Sequence, residues 1–216
     1  MYPGRPYPKT LGELVRISAG EAPILACAPQ VLRATARGFL DGFPGLVTYA
    51  VKANPDPTIL ENLSAAGVAA FDVASVPEIE LLCAAAPQAT LHYNNPVRAS
   101  AEIRRAVALG VESFSLDSAG ELARLRACVA PSAELSVRFK LDMPGAAYDF
   151  GAKFGAHPDA AVDLLRAVRA AGFAPSLTFH PGTQCAPIEV WQAYVAAAAR
   201  IAGEARVEIK RLNVGG

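Results

Sequence analysis

The feature that most constrains the fold of this chain is a regular alternation of short apolar segments with helical patterns, from residue 46 to the end. The first five apolar segments start roughly 20–25 residues apart, which is the length of one strand-and-helix unit. Near-continuous apolar runs of this kind are typical of strands covered on both faces. The sequence therefore predicts an α/β fold with parallel strands. The predicted strands are VTYAVK, AAFDVAS, TLHYNN, SFSLDS, LSVRFK, SLTFH and RLNVGG.

Several helices between these strands have recognisable first residues. Asp56 is followed by a proline, which predicts an N-cap and a helix that begins at the next residue. Ser75 and Glu78 have the spacing of a capping box, and so do Ser118 and Glu121. These signals place a crossover helix after each of the corresponding strands.

The strand ends distinguish two parallel α/β architectures, a doubly wound sheet and a (β/α)8 TIM barrel. No G-x-G-x-x-G motif follows the first strand, which weakens the dinucleotide-binding version of the open sheet. Polar residues occur near the carboxyl ends of different strands, and a barrel would collect them around one mouth. We therefore predict a barrel. These residues are Lys52, Asp72, Asn94, Asn95, Asp117, Arg138 and His180.

The chain divides into two predicted regions. Residues 1–45 form an N-terminal segment in which ILACAP predicts a short strand, and a helix follows up to about Pro44. Residues 46–216 form the barrel, whose seventh strand runs into Gly215 and Gly216. Because a barrel one strand short leaves unpaired edges, we expect the N-terminal part of a longer protein or a truncated homologue.

Composition limits the classes of molecule that this protein binds and the cellular compartment in which we expect it. Lys plus Arg and Asp plus Glu both number 20, so no basic excess suggests nucleic acid. The Pro-rich start lacks an apolar signal core, and no apolar run is long enough to span a membrane. We expect a soluble cytoplasmic protein whose cysteines are reduced, mostly buried and not spaced for metal binding. The cysteines are Cys27, Cys83, Cys128 and Cys185.

Lys52 is the residue that points most directly to chemistry. It stands near the end of the first predicted strand, in TYAVKAN. A lysine amine that is partly desolvated at a barrel mouth can react with carbonyl groups as its free base, as a Schiff base requires. A strand-end lysine that extends to solvent is the alternative, and this residue alone does not separate the two.

Other strand-end residues suggest what such a lysine would bind. His180, in TFHPGTQC, could stack on an aromatic cofactor or move protons, although a lone histidine is more often structural. Arg138 could point into the barrel toward an anion, whereas Asp72 could simply cap a turn. Gly215 and Gly216 fit a backbone nest for phosphate. A lysine, a planar residue and a phosphate nest at one mouth are what pyridoxal phosphate (PLP) requires.

The order of the motifs resembles a known family. AVKAN, FDVASVPEIE, NNPV, FSLDSAGEL, KFG, FHPGTQ and NVGG follow one another as in the fold-type III PLP-dependent decarboxylases, which act on ornithine, lysine, diaminopimelate or arginine. The resemblance covers nearly the whole chain from about Ile24. It implies a barrel of the alanine-racemase-like type, and the C-terminal β-domain of the family is expected to be absent here.

The resemblance also implies roles for individual residues. Lys52 would hold PLP as an internal aldimine, and His180 would stack on the cofactor ring. Thr183 stands where the family usually has a serine that touches the phosphate. Gly215 and Gly216 would begin the glycine-rich phosphate loop.

Further positions match the family outside these contacts. Asp72, Glu78 and Arg138 match positions that line the cofactor pocket. Lys153, in KFG, resembles a lysine that pairs across a dimer interface, which implies a homodimer.

The implied activity is decarboxylation of a basic amino acid, with ornithine, which would give the polyamine putrescine, as the first expectation. Diaminopimelate, lysine and arginine are the alternative substrates. Alanine racemases share the lysine-bearing strand, but their lysine stretch usually continues with Asn-Ala-Tyr-Gly, whereas Asn54 is followed by Pro55 here. Because the family glutamate that holds the pyridine nitrogen is missing, this chain alone is expected to have doubtful activity. A non-catalytic regulator with the same fold is the non-enzyme alternative.

Overall fold

The computed structural model describes residues 10–17, 26–143 and 154–215, and within these ranges the strands form one parallel sheet. The strands are β1 (Thr48–Ala50), β2 (Ala70–Val73), β3 (Thr90–Tyr93), β4 (Ser113–Leu116), β5 (Glu134–Arg138), β6 (Ala174–Thr178) and β7 (Leu212–Asn213). The α-helices are α1 (Leu11–Ile17), α2 (Pro29–Gly42), α3 (Pro57–Ala65), α4 (Val76–Ala85), α5 (Ser100–Ala108), α6 (Ala119–Arg126), α7 (Pro158–Ala170) and α8 (Ile188–Ala205).

Each strand pairs with the next strand along the chain, in the order β1 to β7. The sheet is curled, as a contact across its interior shows. Arg211, the residue before β7, reaches residues of β3 and β5. Its Nη1 lies 2.7 Å from Nε2 of His92, and its Nη2 donates to Glu134 over 2.8 Å. The predicted barrel, incomplete and with seven strands, is therefore confirmed.

The two faces of the curled sheet differ in chemistry. Side chains that face the helices are apolar and fully buried, such as Phe71, Phe114 and Leu135. Side chains that face the interior are polar or are small alanines, and the strand register places Ser136 between Ser115 and Ser176. The prediction of near-continuous apolar strands is therefore wrong for the inner face, where buried hydroxyl and charged groups alternate with the outer apolar residues.

The N-cap at Asp56 is confirmed, because its Oδ1 accepts a hydrogen bond of 2.8 Å from the amide of Thr58. The capping box predicted at Ser75 is wrong. Ser75 is the N-cap residue of α4, but its side chain makes no capping hydrogen bond. Glu78 reaches one residue further back, where its Oε2 accepts a hydrogen bond of 2.8 Å from the amide of Ala74.

Only half of the box predicted at Ser118 forms. Oγ of Ser118 accepts a hydrogen bond of 3.3 Å from the amide of Glu121. The Glu121 carboxylate instead binds two guanidinium groups, those of Arg98 at 3.1 Å and Arg124 at 2.6 Å. A buried carboxylate gains more from these charged donors than from a backbone amide.

An aromatic cluster supports the mouth of the barrel from behind. Phe179 stacks on Tyr194 of α8 with ring centroids 4.7 Å apart, and Phe139 and Trp191 pack edge-on against it. The Tyr194 hydroxyl contacts both backbone groups of Leu141, over 3.1 and 3.2 Å. Helix α8 therefore fixes the backbone that leaves β5.

Two expectations of the sequence need correction, and a third can be tested only on the described helices. The predicted ILACAP strand lies partly outside the described residues, and Ala26–Ala28 are not in a strand. The expected burial of the thiols is wrong, since Cys27 and Cys83 are exposed and the other two cysteines are partly exposed. Among the described helices, none is both long and apolar enough to cross a membrane.

Candidate active site

The carboxyl ends of the strands surround a cavity of about 450 Å³. Its volume lies within the range of small-molecule pockets, roughly 300–1,000 Å³. Six of the seven strand-end residues that the sequence singled out line this cavity, and the exception is Asp117. The six are Lys52, Asp72, Asn94, Asn95, Arg138 and His180.

Lys52 reaches the cavity from a turn and not from a strand. Strand β1 ends at Ala50, and Val51–Ala53 form one 3-10 turn in which Val51 is buried and Lys52 is exposed. The expected partial desolvation of its amine stays a prediction. The turn sets the place of Lys52 at the mouth, because Val51 is buried in the core and Lys52 is left at the cavity.

Asp72 lies within β2 and faces the cavity, so its interpretation as a turn cap is wrong. Oδ2 accepts a hydrogen bond of 3.1 Å from the hydroxyl of Thr48. Among the described residues, Oδ1 is buried and has no hydrogen-bond partner. Burial raises the pKa of Asp72, against the opposing effects of hydrogen bonding by the side chains of Thr48 and Asn213 and of the charges of Arg211 and Lys52.

His180 follows β6 by two residues and is half-buried at the cavity wall. Burial and then the positive charges of Arg138 and Lys52 lower the pKa of His180 to about 4. The imidazole is therefore neutral at pH 7. Its Nδ1 accepts a hydrogen bond of 3.0 Å from the amide of Gly182, so the ring hydrogen is on Nε2.

Arg138 is the last residue of β5 and points into the cavity, as its alternation with apolar neighbours indicated. Its guanidinium carbon lies 5.2 Å from the ring centroid of Phe154. Burial lowers the pKa of Arg138, while the charge of Asp117 raises it. Oδ2 of Asp117 accepts a hydrogen bond of 3.0 Å from Gly155, so Asp117 organises the adjoining loop.

The first glycine of the predicted nest lies at the cavity, and the second lies outside the described residues. Gly215 has φ +75°, and a Cβ atom there would lie 2.6 Å from the carbonyl oxygen of Phe179. Its amide donates a hydrogen bond of 2.8 Å to Oδ1 of Asn213. Only glycine fits this conformation and this close approach.

Two of the remaining predicted residues, Thr183 and Glu78, are not among the described residues that line the cavity. Thr183 is exposed in the loop that follows β6, outside the residues that line the cavity. Glu78 accepts a hydrogen bond from the backbone amide of Ala74, and Ala74 lines the cavity. Lys153 lies outside the described residues.

The wall residues that sequence reasoning did not single out include Thr48, Phe154, Thr178 and Asn213. The strand register places Thr178 between Arg138 and Asn213, so these three side chains form one inner layer. Alternation along SLTF, with Ser176 and Thr178 between apolar residues, carried a signal for this layer. Phe154 carried no such signal, because it lies in a loop.

The residues present fit an anionic, planar molecule with a carbonyl group. The cavity offers an amine, a neutral imidazole, a guanidinium and a buried carboxylate oxygen with unused capacity. A parallel (β/α) barrel with this set at the carboxyl ends of its strands is a small-molecule-binding barrel of the class that holds a cofactor at its mouth.

Comparison with known proteins gives the family. Residues 30–216 match the family described as pyridoxal-dependent decarboxylase, pyridoxal binding domain. The chain belongs to this family, and the resemblance of its motifs is confirmed.

Individual relatives agree with this assignment. The chain is 34% identical over 175 residues to a lysine/ornithine decarboxylase of Selenomonas ruminantium, covering 79% of this chain and 44% of the relative. It is 36% identical over 156 residues to a chloroplastic ornithine decarboxylase of Nicotiana glauca, covering 71% and 36%. The structure of SrLDC in complex with PLP and cadaverine is similar, with a TM-score of 0.82, 27% identity, and coverage of 99% and 55%. The chain thus spans less than half the length of these two curated relatives.

Proposed function

We propose that this chain is the cofactor-binding part of a PLP-dependent carboxy-lyase that decarboxylates a basic amino acid. The observation that carries the proposal is the shared cavity of Lys52, His180 and Asp72, in a chain that belongs to the pyridoxal-binding family. When bound, PLP supplies an electron sink for the bond between Cα and the carboxylate of the amino acid.

The residues that the sequence singled out have proposed tasks toward the cofactor. Lys52 would hold it covalently through Nζ, and the neutral ring of His180 would lie against its ring. Gly215 would face the phosphate, with Gly216 and Thr183 as the neighbouring contacts to be tested. Neutral His180 is suited to stacking, because protonation would add a further cation beside Lys52 and Arg138.

Two charged wall residues complete the proposed site. Arg138 would attract the phosphate or the substrate carboxylate, since a guanidinium is the preferred partner of such anions. Oδ1 of Asp72 would accept a hydrogen bond from the bound molecule, which would satisfy an oxygen that has no partner among the described residues.

We propose ornithine as the first substrate to test, with lysine, arginine and diaminopimelate as alternatives. The relatives named above are lysine/ornithine and ornithine decarboxylases, which supports a basic amino acid. We further propose a cytoplasmic homodimer in which Lys153 pairs across the interface. The proposed domain division, residues 1–45 and a barrel of residues 46–216, is open to testing by limited proteolysis.

The test uses the chain fused to the C-terminal part of the Selenomonas relative, with PLP and each of the four amino acids. Release of carbon dioxide and the matching amine, abolished by Lys52→Ala, is the expected result. A fusion that binds PLP at Lys52 but releases no carbon dioxide from any of them would favour a non-catalytic regulator. A fusion that does not bind PLP at Lys52 would overturn the proposal.

A further inference from the structure

Arg98 is a buried cation directly behind the cavity. It follows the segment Asn94–Val97, and its side chain is 0% exposed. Its Nε donates to Glu121, whose side chain is 1% exposed, over 3.1 Å. A buried cation of this kind is costly unless its donors are satisfied, so its position is determined by what it binds.

The other two donor groups of Arg98 bind backbone carbonyls at the ends of two strands. Nη1 donates to the carbonyl oxygen of Tyr93 over 3.2 Å, and Nη2 donates to the carbonyl oxygen of Ser115. Tyr93 is the last residue of β3, and Ser115 is the last but one of β4. The guanidinium therefore spans the two strands at the mouth.

This bridge lies where the strand pairing stops. The β3–β4 register contains His92 with Ser113 and Tyr93 with Phe114, and it goes no further toward the mouth. The guanidinium carbon also lies over two rings, 4.9 Å from that of Tyr93 and 5.5 Å from that of Phe114. Arg98 thus links β3 and β4 by side-chain hydrogen bonds beyond the last backbone pair of the two strands.

The segment between Tyr93 and Arg98 forms part of the cavity wall through Asn94, Asn95 and Pro96. The Asn95 side chain links this segment to the loop after β2. It donates a hydrogen bond of 3.3 Å to the carbonyl of Ala74 and accepts one of 3.2 Å from the amide of Val97. The hydrogen bond from Arg98 to the carbonyl of Tyr93 joins the two residues that flank this segment.

We propose that Arg98 is a positioning residue that fixes Asn94 and Pro96 in the wall facing the bound cofactor and substrate. The role in PLP binding rests on the proposed function, whereas the effect on the wall segment does not. Lysine cannot replace this arginine, because one ammonium group cannot reach the carboxylate and both carbonyls in the planar geometry of a guanidinium.

The test compares Arg98→Lys and Arg98→Met with Arg105→Lys and Arg105→Met. Arg105 is on α5 and forms an ion pair with Glu80 in which both side chains are about half exposed, so it is a matched control away from the cavity. Hydrogen exchange of backbone amides is measured without ligand, followed by PLP titration monitored by absorbance and by thermal unfolding.

In the Arg98 variants we expect exchange of the amides of Asn94, Asn95 and Val97 to accelerate on the order of tenfold, with β5 and β6 unchanged. We expect the apparent Kd for PLP to rise by a similar factor, because small displacements at a binding site are costly. The Arg105 variants should match the wild type in both measurements.

Unchanged exchange at the amides of Asn94, Asn95 and Val97 in Arg98→Met would overturn the proposal. Equal acceleration across all strands would also overturn it, because Arg98 would then serve the fold as a whole. A wild-type chain that does not bind PLP would refute the proposed function, while the exchange measurements would still decide the role of Arg98 in the wall.

Discussion

The hydroxyl of Thr48 on β1 donates a hydrogen bond of 3.1 Å to Oδ2 of Asp72 on β2, while Oδ1 of Asp72 is buried without a partner among the described residues. One oxygen is thus fixed by the neighbouring strand, and the other retains its capacity to accept a hydrogen bond. A buried carboxylate held in this way lowers the stability of the fold, as is common for groups that serve a binding site.

Replacing Asp72 should therefore stabilise the folded chain at neutral pH. Burial raises the pKa of Asp72, so the folded state binds this proton more tightly than the unfolded state, and the ionised carboxylate is destabilising above the folded pKa. Asp72→Asn should raise the Tm at pH 7 by about 2–4 °C, the shift expected for about 1 kcal/mol at this size. The gain should shrink as the pH falls through the raised pKa, because the wild-type carboxyl then becomes neutral.

Thermal unfolding in a series of buffers from neutral to acid pH measures this difference. Asp163→Asn is the control, because its side chain is 79% exposed in a surface ion pair, and it should give no gain. A lower Tm for Asp72→Asn at pH 7 would contradict the account.

His180 should titrate near pH 4 and respond to Arg138. Burial and then the charges of Arg138 and Lys52 lower the pKa of His180 to about 4, so Arg138→Met should move it upward. His92, whose pKa is also lowered to about 4, should not move, because its charged neighbours are Arg211, Glu134 and Lys210. NMR titration of the two imidazoles tests this, and a wild-type His180 pKa at the ordinary value of about 6.5 would refute it.

The same shift has a consequence for stability. The unfolded state binds a proton to His180 at a higher pH than the folded state, so stability is lost as the pH falls from about 6.5 toward 4. His180→Gln should lose stability less steeply over this window. Denaturant unfolding at several pH values measures the slopes, and identical slopes for the two proteins would count against a neutral His180.

Gly215→Ala should weaken both the fold at β7 and PLP binding. The left-handed conformation costs a non-glycine residue about 1–2 kcal/mol, before the contact with the carbonyl of Phe179 is counted. Gly203→Ala on α8 is the matched control, because a Cβ atom there meets nothing within 4 Å and alanine favours a helix. Denaturant unfolding and PLP titration of both variants provide the comparison, and a Gly215→Ala chain equal to the wild type in both would contradict the assignment.

The charged cluster inside the barrel should be needed to hold β7 in place. Glu134 is 3% exposed, accepts from Arg211 over 2.8 Å and from Ser176 over 2.9 Å, and pairs with Lys210. Glu134→Gln should lower the free energy of unfolding by about 3 kcal/mol, because it leaves a partly buried cation uncompensated.

Glu204→Gln is its control, since Glu204 pairs with Arg200 on the surface of α8 with both side chains about half exposed. Its effect should stay below about 0.5 kcal/mol. Equal effects of the two substitutions on chemical denaturation would show that the interior cluster does not hold the curled sheet.

The parallel strands and their order could be predicted from sequence, because the outer residues such as Phe71 and Leu135 must be buried against helices. The meeting of Lys52, Asp72 and His180 was predictable for the same reason, since strand ends converge in a barrel. The polar inner face was less readable, because the pairing of β4 with β5, and not the residues next to them in sequence, brings Ser115 beside Ser136.

Local signals failed where a side chain bound a different partner from the predicted one. Glu78 accepts from the amide of Ala74 and not from that of Ser75, and the Glu121 carboxylate binds Arg98 from another loop. The exposure of Lys52 depends on the 3-10 turn after β1, which a run of strand-forming residues does not indicate. The contact of Glu121 with Arg98 is tertiary and has no signature in the neighbouring residues, whereas the Glu78 contact and the 3-10 turn are local alternatives to the predicted structure.

The central claim is that Lys52 holds the cofactor, and borohydride reduction of the chain mixed with PLP tests it most directly. Reduction makes the covalent bond permanent, and peptide mass mapping then locates it. The account predicts a stoichiometric adduct on Lys52, its loss in Lys52→Ala, and no comparable adduct on Lys140 or Lys210. An adduct distributed over these other lysines, or one that survives Lys52→Ala, would contradict the account.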